Sequence, residues 1–375
     1  MAPRSLRILM LNTEHGWRGG EHQVLLLLRG LAGAAEAVTV CQPGSALEQE
    51  LARAGLPAHP LAMRGPLHPS AAWAIRRLVH SGAFDLVHAH TSHAHSLAAL
   101  ACLGGKVPLL VTRRVDFPLK RGWFSHWKYV SAVAHYAAVS DAVLRVLAAG
   151  GVDAARITTI HDGIDGARFP AGMVSGLRSE FAIPAGDIII GITAQLTDHK
   201  DHRTLLDAFA LIERARTDCW LLIVGRGELE QELKAKARDL GLRQVRFTGF
   251  RQDIANILNG LDIFTLCSHL EGLGSSIMDA MHCGLPVVGT RAGGIPELIT
   301  DGSDGLLVGV RDAAGLAGAV LRLAGDPALR RRLGAQAQVT AMNRFSSERM
   351  VAAYLALFQR LAPLSRAAAD LHDAP

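Results

Sequence analysis

The sequence predicts an α/β protein made of two facing doubly wound Rossmann-like domains with an interdomain cleft. Three observations carry that expectation. At 375 residues the chain exceeds the size at which one hydrophobic core usually keeps growing. Short β-rich runs alternate with helical patterns from end to end, as parallel sheets with crossover helices require. Between two sets of such runs lies 162–174, rich in Gly, Asp and Pro and without apolar periodicity. With 49% apolar and 19% charged residues, the chain has the composition of a packed enzyme and not of a disordered one.

In the first half, strands are expected at 7–12, 37–42, 85–89, 107–112, 136–139 and 156–160. In the second they are expected at 187–194, 219–224, 245–248, 262–266, 286–289 and 305–308. The linker sets domains at 1–170 and 171–345. After Asp312 the pattern becomes all-helical. Its last helix, about 346–362, starts at Ser-Ser-Glu and repeats apolar residues at Met350, Val351, Tyr354, Leu355, Phe358 and Leu361. That apolar stripe needs a surface to cover, and the helix is assigned to complete the first domain.

No apolar run reaches the ~18 residues needed to span a bilayer, and the first twelve residues have no signal-peptide pattern, so a cytoplasmic location is expected. The five cysteines (41, 102, 219, 267 and 283) are odd in number and scattered, which reads as reduced core thiols. A net charge of +5 with pI near 9.1 favours an anionic substrate or membrane surface over a nucleic-acid groove. Gly-x-Gly-x-x-Gly, the P-loop, Gly-x-Ser-x-Gly, His-Glu-x-x-His and Asp-x-Asp are all absent. NAD oxidoreductases, P-loop NTPases, lipase-like and zincin-like hydrolases thereby lose their support.

Ligands of open α/β sheets bind beyond the carboxyl ends of the strands, so the loops there carry the chemistry. After the first strand, Gly19 and Gly20 open a helix and allow a phosphate or sugar to approach backbone N–H groups. In the second half, Gln195 to His202 follows a strand and holds Lys200, a point charge suited to a diphosphate. The densest stretch runs from Ser268 to Glu297. There a strand ends in Glu271, Gly272, Leu273, Gly274 and Ser275, a helix begins near Ser275 or Ser276, and Asp279 follows one turn in. One loop thus offers a carboxylate for sugar hydroxyls, amide donors for phosphate and a second carboxylate for ribose.

Together with the Gly-Gly-Glu at 19–21, Asp-Leu-Val-His-Ala-His at 85–90, Asp-Gly-Ile-Asp at 162–165, Val-Gly-Arg-Gly at 224–227, Phe-Thr-Gly-Phe-Arg at 247–251 and Phe-Ser at 345–346, these motifs resemble the retaining glycosyltransferases of the family 4 type. The resemblance runs over almost the whole chain. It implies the GT-B fold, a nucleoside diphosphate sugar as donor and co-substrate, and no metal or other cofactor. It further implies that Lys200 and Glu271 are catalytic, and that Glu271 with 272–275 holds the sugar and its phosphate while the residue at 279 contacts ribose.

Three positions depart from the family pattern. Asp279 stands where a glutamate is usual, and Gln195 stands where many relatives have an arginine. The clamp on the diphosphate then falls to Lys200 with Arg226, Arg113 or Arg114. Where several relatives carry a histidine the chain reads Arg113-Arg114-Val115-Asp116, so no catalytic histidine is assigned there. His90, Arg113 and Arg114 are taken as acceptor-side residues. His88, His90, His93 and His95 admit three readings: a metal site, a cleft-facing polar group at His90, or structural histidines.

The acceptor reading rests on 118–130, where Lys120, Arg121 and Lys128 interleave with Trp123, Phe124, Trp127 and Tyr129. That mixture suits an anionic inner-membrane surface, extended by Trp73, Arg76 and Arg77, and with it a lipid-linked, lipopolysaccharide or saccharide acceptor. A partly buried helix is the alternative. No nucleic-acid partner is expected. A sugar-nucleotide epimerase and a non-catalytic nucleotide-sugar-binding protein remain as rival functions on the same fold.

Overall fold

The structure is a computed structural model that describes residues 5–81, 84–120, 122–170 and 172–370, with side chains described as far as residue 362. Arg121 lies outside the described residues. The chain divides into two compact units, Met1–Gly163 with Ser347–Pro375, and Ile164–Ser346.

In the first unit, strands β1 (Leu6–Leu11), β2 (Ala35–Cys41), β3 (Ala58–Pro60), β4 (Leu86–Ala89), β5 (Leu109–Arg113), β6 (His135–Ala138) and β7 (Ile157–Thr159) form one sheet. Its order is β3-β2-β1-β4-β5-β6-β7, and every pairing is parallel. Helices α1 (Gly19–Leu31), α2 (Ala46–Arg53), α3 (Pro69–His80), α4 (Ser92–Ala101), α5 (Trp123–His126) and α6 (Asp141–Ala149) make the connections, and a π-helical turn, Trp127–Ser131, continues α5.

The second unit has β8 (Ile188–Thr193), β9 (Cys219–Val224), β10 (Val245–Gly249), β11 (Ile263–Leu266), β12 (Val287–Thr290) and β13 (Leu306–Val308) in the order β10-β9-β8-β11-β12-β13, again parallel. Its helices are α7 (Leu177–Glu180), α8 (His202–Ala215), α9 (Glu230–Asp239), α10 (Ile254–Gly260), α11 (Ser275–His282), α12 (Ile295–Leu298), α13 (Ala313–Gly325) and α14 (Pro327–Arg344). In both sheets the order reverses beside the first strand, between β1 and β4 and between β8 and β11. These are the switch points at which doubly wound sheets open a crevice.

All twelve strands expected from the sequence are present, and β3 is an addition. It was illegible because Ala-His-Pro is short, mostly exposed and lies at the sheet edge, where a strand needs no apolar alternation and tolerates proline.

The last helix, α15 (Ser347–Asp370), folds with the first unit. Met350, Tyr354, Leu357, Phe358 and Leu361 are buried in one cluster with Val24, Leu27, Leu28 and Leu31 of α1 and with Ile8, Met10, Leu86 and Leu110 of the sheet. Val351 and Leu355 flank that stripe half-buried, while Leu357 joins the core although the 3.6-residue spacing did not single it out. The Tyr354 hydroxyl reaches Thr112 Oγ1 at 2.9 Å and so ties the helix to the end of β5. No described helix is long and apolar enough to cross a membrane.

Candidate functional site

In the second unit the site grows from the ends of β8 and β11. Beyond β8 the chain makes a 3-10 turn at Asp198–Lys200, and Asp201 takes a left-handed conformation (φ 51°) to cap α8. Its carboxylate accepts from Thr204 Oγ1 at 2.7 Å, which locks the turn. Cys267, just after β11, donates to the carbonyls of Lys200 (3.2 Å) and Asp201 (3.3 Å), so the two loops are stitched together behind the site.

That stitching brings together two residues 71 positions apart. Lys200 Nζ lies 2.5 Å from Glu271 Oε2. Both side chains are largely buried, at 17% and 12% exposed, so the pair is shielded from the screening that weakens surface ion pairs. Ser268 Oγ donates to the same carboxylate oxygen at 2.9 Å, and the Glu271 carbonyl accepts from Gly294 N at 3.0 Å. The carboxylate is held by its neighbours before any ligand arrives. Ser268 is an addition to the residues singled out from the sequence.

Gly272, Leu273 and Gly274 are buried and lead into α11, whose first residue is Ser275. Gly274 is the N-cap at φ 98°, a backbone conformation that side chains disfavour, and it opens α11 just beyond the end of β11. The first-turn N–H groups and the positive end of the helix form an anion-favouring edge beside Lys200 and Glu271.

Asp279, one turn into α11, lies 3.8 Å from Arg168. Burial pushes its carboxyl up to about 6, against the pull of Arg168 and helped by Asp165. Its ordinary value is 3.8, so the unfolded chain ionises first, and between pH 3.8 and about 6 the native state progressively loses stability to the buried charge. Asp279→Asn is therefore expected to raise the melting temperature at pH 7.5 by more than at pH 5. An equal change at both values would contradict that assignment.

Gln195 and Arg226 are exposed on adjoining loops. The loops touch through backbone: Leu196 N donates to Arg226 O at 3.1 Å, and Leu229 N donates to Leu196 O at 3.0 Å. Gly225 permits this approach, since a Cβ there would sit 1.9 Å from the Ala194 carbonyl oxygen. The Arg226 guanidinium stacks on Phe250, 5.1 Å from the ring centroid, which helps to aim it.

In the first unit a second polar cluster gathers beyond β1, β4 and β5. Gly20 lies against Arg114, where a Cβ would meet the arginine chain at 3.6 Å. Glu21 of the same motif accepts from Asn12 Nδ2 at 3.0 Å and from Arg18 N at 3.2 Å, which fixes the start of α1. Arg114 is 3.4 Å from Asp162, an ion pair that the sequence did not reveal because its members are 48 residues apart and look like loop charges. Burial pushes the Asp162 carboxyl up while Arg114 pulls it down.

His88 and His90 stack with ring centroids 3.9 Å apart, and burial holds both far below the usual histidine range, aided by the positive charge of Arg114. His88 is a core residue, bonded to Thr112 Oγ1 at 2.7 Å and packed on Tyr354 and Phe358. Both ring nitrogens of His90 are buried without a hydrogen-bond partner among the described residues. His95 is likewise buried, 3.0 Å from the Lys128 carbonyl. Among the described residues no three His, Cys, Asp or Glu side chains are grouped as a metal site would require.

The 118–130 segment needs one correction. Trp123 is 83% exposed and Lys120 is exposed, but Lys128 is buried at 7% and donates to the Ser92 carbonyl at 3.0 Å. Lys128 is therefore no part of a basic outer surface, because the π-helical turn rotates it inward onto α4.

Two family models match the chain, Glycosyltransferase Family 4 over residues 17–168 and Glycosyl transferases group 1 over residues 176–340. The lipopolysaccharide core biosynthesis glycosyltransferase LpsE of Rhizobium meliloti (strain 1021) is 33% identical over 48% of this chain and 52% of its own length. The match thus spans about half of that relative. A D-inositol 3-phosphate glycosyltransferase of Saccharomonospora viridis is 30% identical over 74% of this chain and 70% of its own. Among solved structures, Anabaena HepE in complex with UDP and glucose superposes with a TM-score of 0.84 at 22% identity, over 95% of this chain and all of the other, a likeness of fold. With both of its units matched in order and this degree of kinship, the chain belongs to the group 1 glycosyl transferases of family 4, built on the GT-B fold.

Proposed function

We propose that the protein is a retaining glycosyltransferase that moves a sugar from a nucleoside diphosphate sugar to an acceptor hydroxyl in lipopolysaccharide, exopolysaccharide or glycolipid assembly, without a metal. The observation that carries this reading is the shielded Lys200–Glu271 pair at 2.5 Å, whose glutamate lies on the loop that leads through Gly274 into the N-terminus of α11. In transfer, the bond from the anomeric carbon to the diphosphate oxygen breaks and its electron pair stays on the diphosphate. The acceptor oxygen bonds to the same face of the anomeric carbon, and its proton passes to the departing phosphate oxygen.

Charge develops on the diphosphate in that step, and Lys200 with the amides at the start of α11 suits its stabilisation. Glu271, oriented by Ser268, suits the transferred sugar's hydroxyls, and Asp279 the ribose. The lipopolysaccharide role of one relative and the UDP and glucose bound to one structural neighbour support the donor and pathway class. A thermal-shift screen of UDP-, GDP- and ADP-sugars on the full chain tests the donor. A donor that stabilises wild type and stabilises Glu271→Gln far less supports the reading.

The acceptor side includes a peripheral contact with an anionic membrane surface. Its supports are the exposed Trp123, Phe117 and Lys120, and Trp73 under the Arg77 guanidinium at 4.9 Å. Cosedimentation with phosphatidylglycerol vesicles is expected to fall with rising salt and to fall again in Trp123→Ala. Failure to bind such vesicles at any ionic strength removes this part alone.

A further inference from the structure

In the second unit a turn and a helix meet and leave an open pair of opposite charges. Asp165 caps the 3-10 turn Gly166–Arg168, its Oδ1 accepting from Ala167 N at 3.2 Å. The turn packs on the end of α11. A Cβ on Gly166 would lie 3.3 Å from His282 Cε1, and the buried Phe169 ring meets His282 with centroids 5.6 Å apart. Asp279 and His282 stand at i and i+3 of that helix and share a face. Docking the turn on His282 therefore delivers Arg168 to Asp279, with the guanidinium 5.3 Å from the Phe169 ring centroid.

The pair is not closed. Arg168 Nη1 stays 3.8 Å from Asp279 Oδ2, beyond hydrogen-bond length. Among the described residues the guanidinium has no hydrogen-bond acceptor and the carboxylate no donor. Both side chains reach solvent, at 34% and 22% exposed. An ion pair that braces this unit is built otherwise: Arg178 Nη2 meets Asp262 at 2.9 Å, and Arg178 Nη1 also donates to the Pro184 and Asp187 carbonyls. An accessible carboxylate beside an accessible guanidinium offers an acceptor and a donor to one polar group. A hydroxyl matches that offer, because it donates through its hydrogen and accepts through its oxygen. A carboxylate or phosphate would be attracted by Arg168 and repelled by Asp279.

We propose that Arg168 and Asp279 together hold one ribose hydroxyl of the donor nucleotide, the carboxylate accepting from its O–H and the guanidinium donating to its oxygen, so that Arg168 selects ribonucleotides over deoxyribonucleotides. The inference rests on the glycosyl-transfer reading, which brings the ribose to Asp279, and adds to it a second contact residue and a selectivity. Both hydrogen bonds involve a charged partner, which makes them the stronger kind.

The test is calorimetric titration of the full chain with UDP, GDP and ADP, and with the 2′-deoxy and 3′-deoxy forms of the one that binds, in wild type, Arg168→Met and Arg168→Lys. The titrations are run at pH 8.5, well above the value of about 6 to which burial pushes Asp279, so that its carboxylate stays ionised. In wild type, loss of the hydroxyl that the pair holds weakens binding roughly tenfold or more. In Arg168→Met the intact diphosphate weakens by about tenfold while the analogue lacking that hydroxyl changes little, so the ratio between them contracts. Arg168→Lys, which keeps a charged donor, retains more of the ratio. Equal binding of the intact and both deoxy forms by wild type overturns the inference. So do unchanged ratios in Arg168→Met, the result expected if Arg168 only balances the charge of Asp279. A chain that binds none of the three diphosphates overturns the donor reading and this inference with it, whereas binding with unchanged ratios overturns this inference alone.

Discussion

Lys200→Ala is expected to lower sugar transfer by ~10²–10³, the usual cost of removing one preorganised donor from a developing charge. The same substitution strips Glu271 of its cation, and Glu271 is only 12% exposed, so part of any lost activity in the single variant is structural. The double variant Lys200→Met/Glu271→Gln separates the two effects. Replacing both charges with neutral groups of similar size removes the buried carboxylate that has lost its lysine, and the melting temperature should return toward that of wild type. Transfer should not return, because neither the point charge for the diphosphate nor the carboxylate for the sugar is restored. Steady-state rates and melting curves on the three proteins give the comparison. Near-normal turnover in Lys200→Ala overturns the assigned role.

Truncation after Ser346 is expected to unfold the first unit while the second, Ile164–Ser346, stays folded. The truncation removes Met350, Tyr354, Leu357, Phe358 and Leu361 from the core around α1. At about 1.5–3 kcal/mol for each large buried side chain, the loss is on the order of 10 kcal/mol, comparable with the whole stability of a domain. The point variant Phe358→Ala, at a residue with no exposure, should cost roughly 3–5 kcal/mol. Two melting transitions in the full chain should become one in the truncated chain. Retention of both transitions would show that α15 is dispensable to the first unit.

The sequence made the sheets and the second-unit site legible for different reasons. Buried parallel strands leave nearly continuous apolar runs such as Ile188–Thr193 and Cys219–Val224, so their existence can be read directly, while the edge strand Ala58–Pro60 leaves none. Lys200 and Glu271 were legible because each follows a strand end, whereas the Cys267 thiol that ties their loops together was not. What stayed hidden depends on rotation and partnership. Lys128 reads as one more basic residue among aromatics until a π-helical turn buries it, and Arg114 with Asp162 reads as two loop charges until they lie 3.4 Å apart. His88 and His90 share a motif but differ in environment, the first bonded to Thr112 through Nε2 and the second with neither nitrogen partnered among the described residues.

The most direct test of the account is product analysis of the full chain with the sugar nucleotide that stabilises it, with and without an acceptor extract. The account predicts that nucleoside diphosphate is released and a new glycoside forms only when acceptor is present, with the anomeric configuration of the donor preserved by NMR. Isomerised sugar nucleotide in the absence of acceptor, an inverted product, or tight donor binding with no turnover would contradict it.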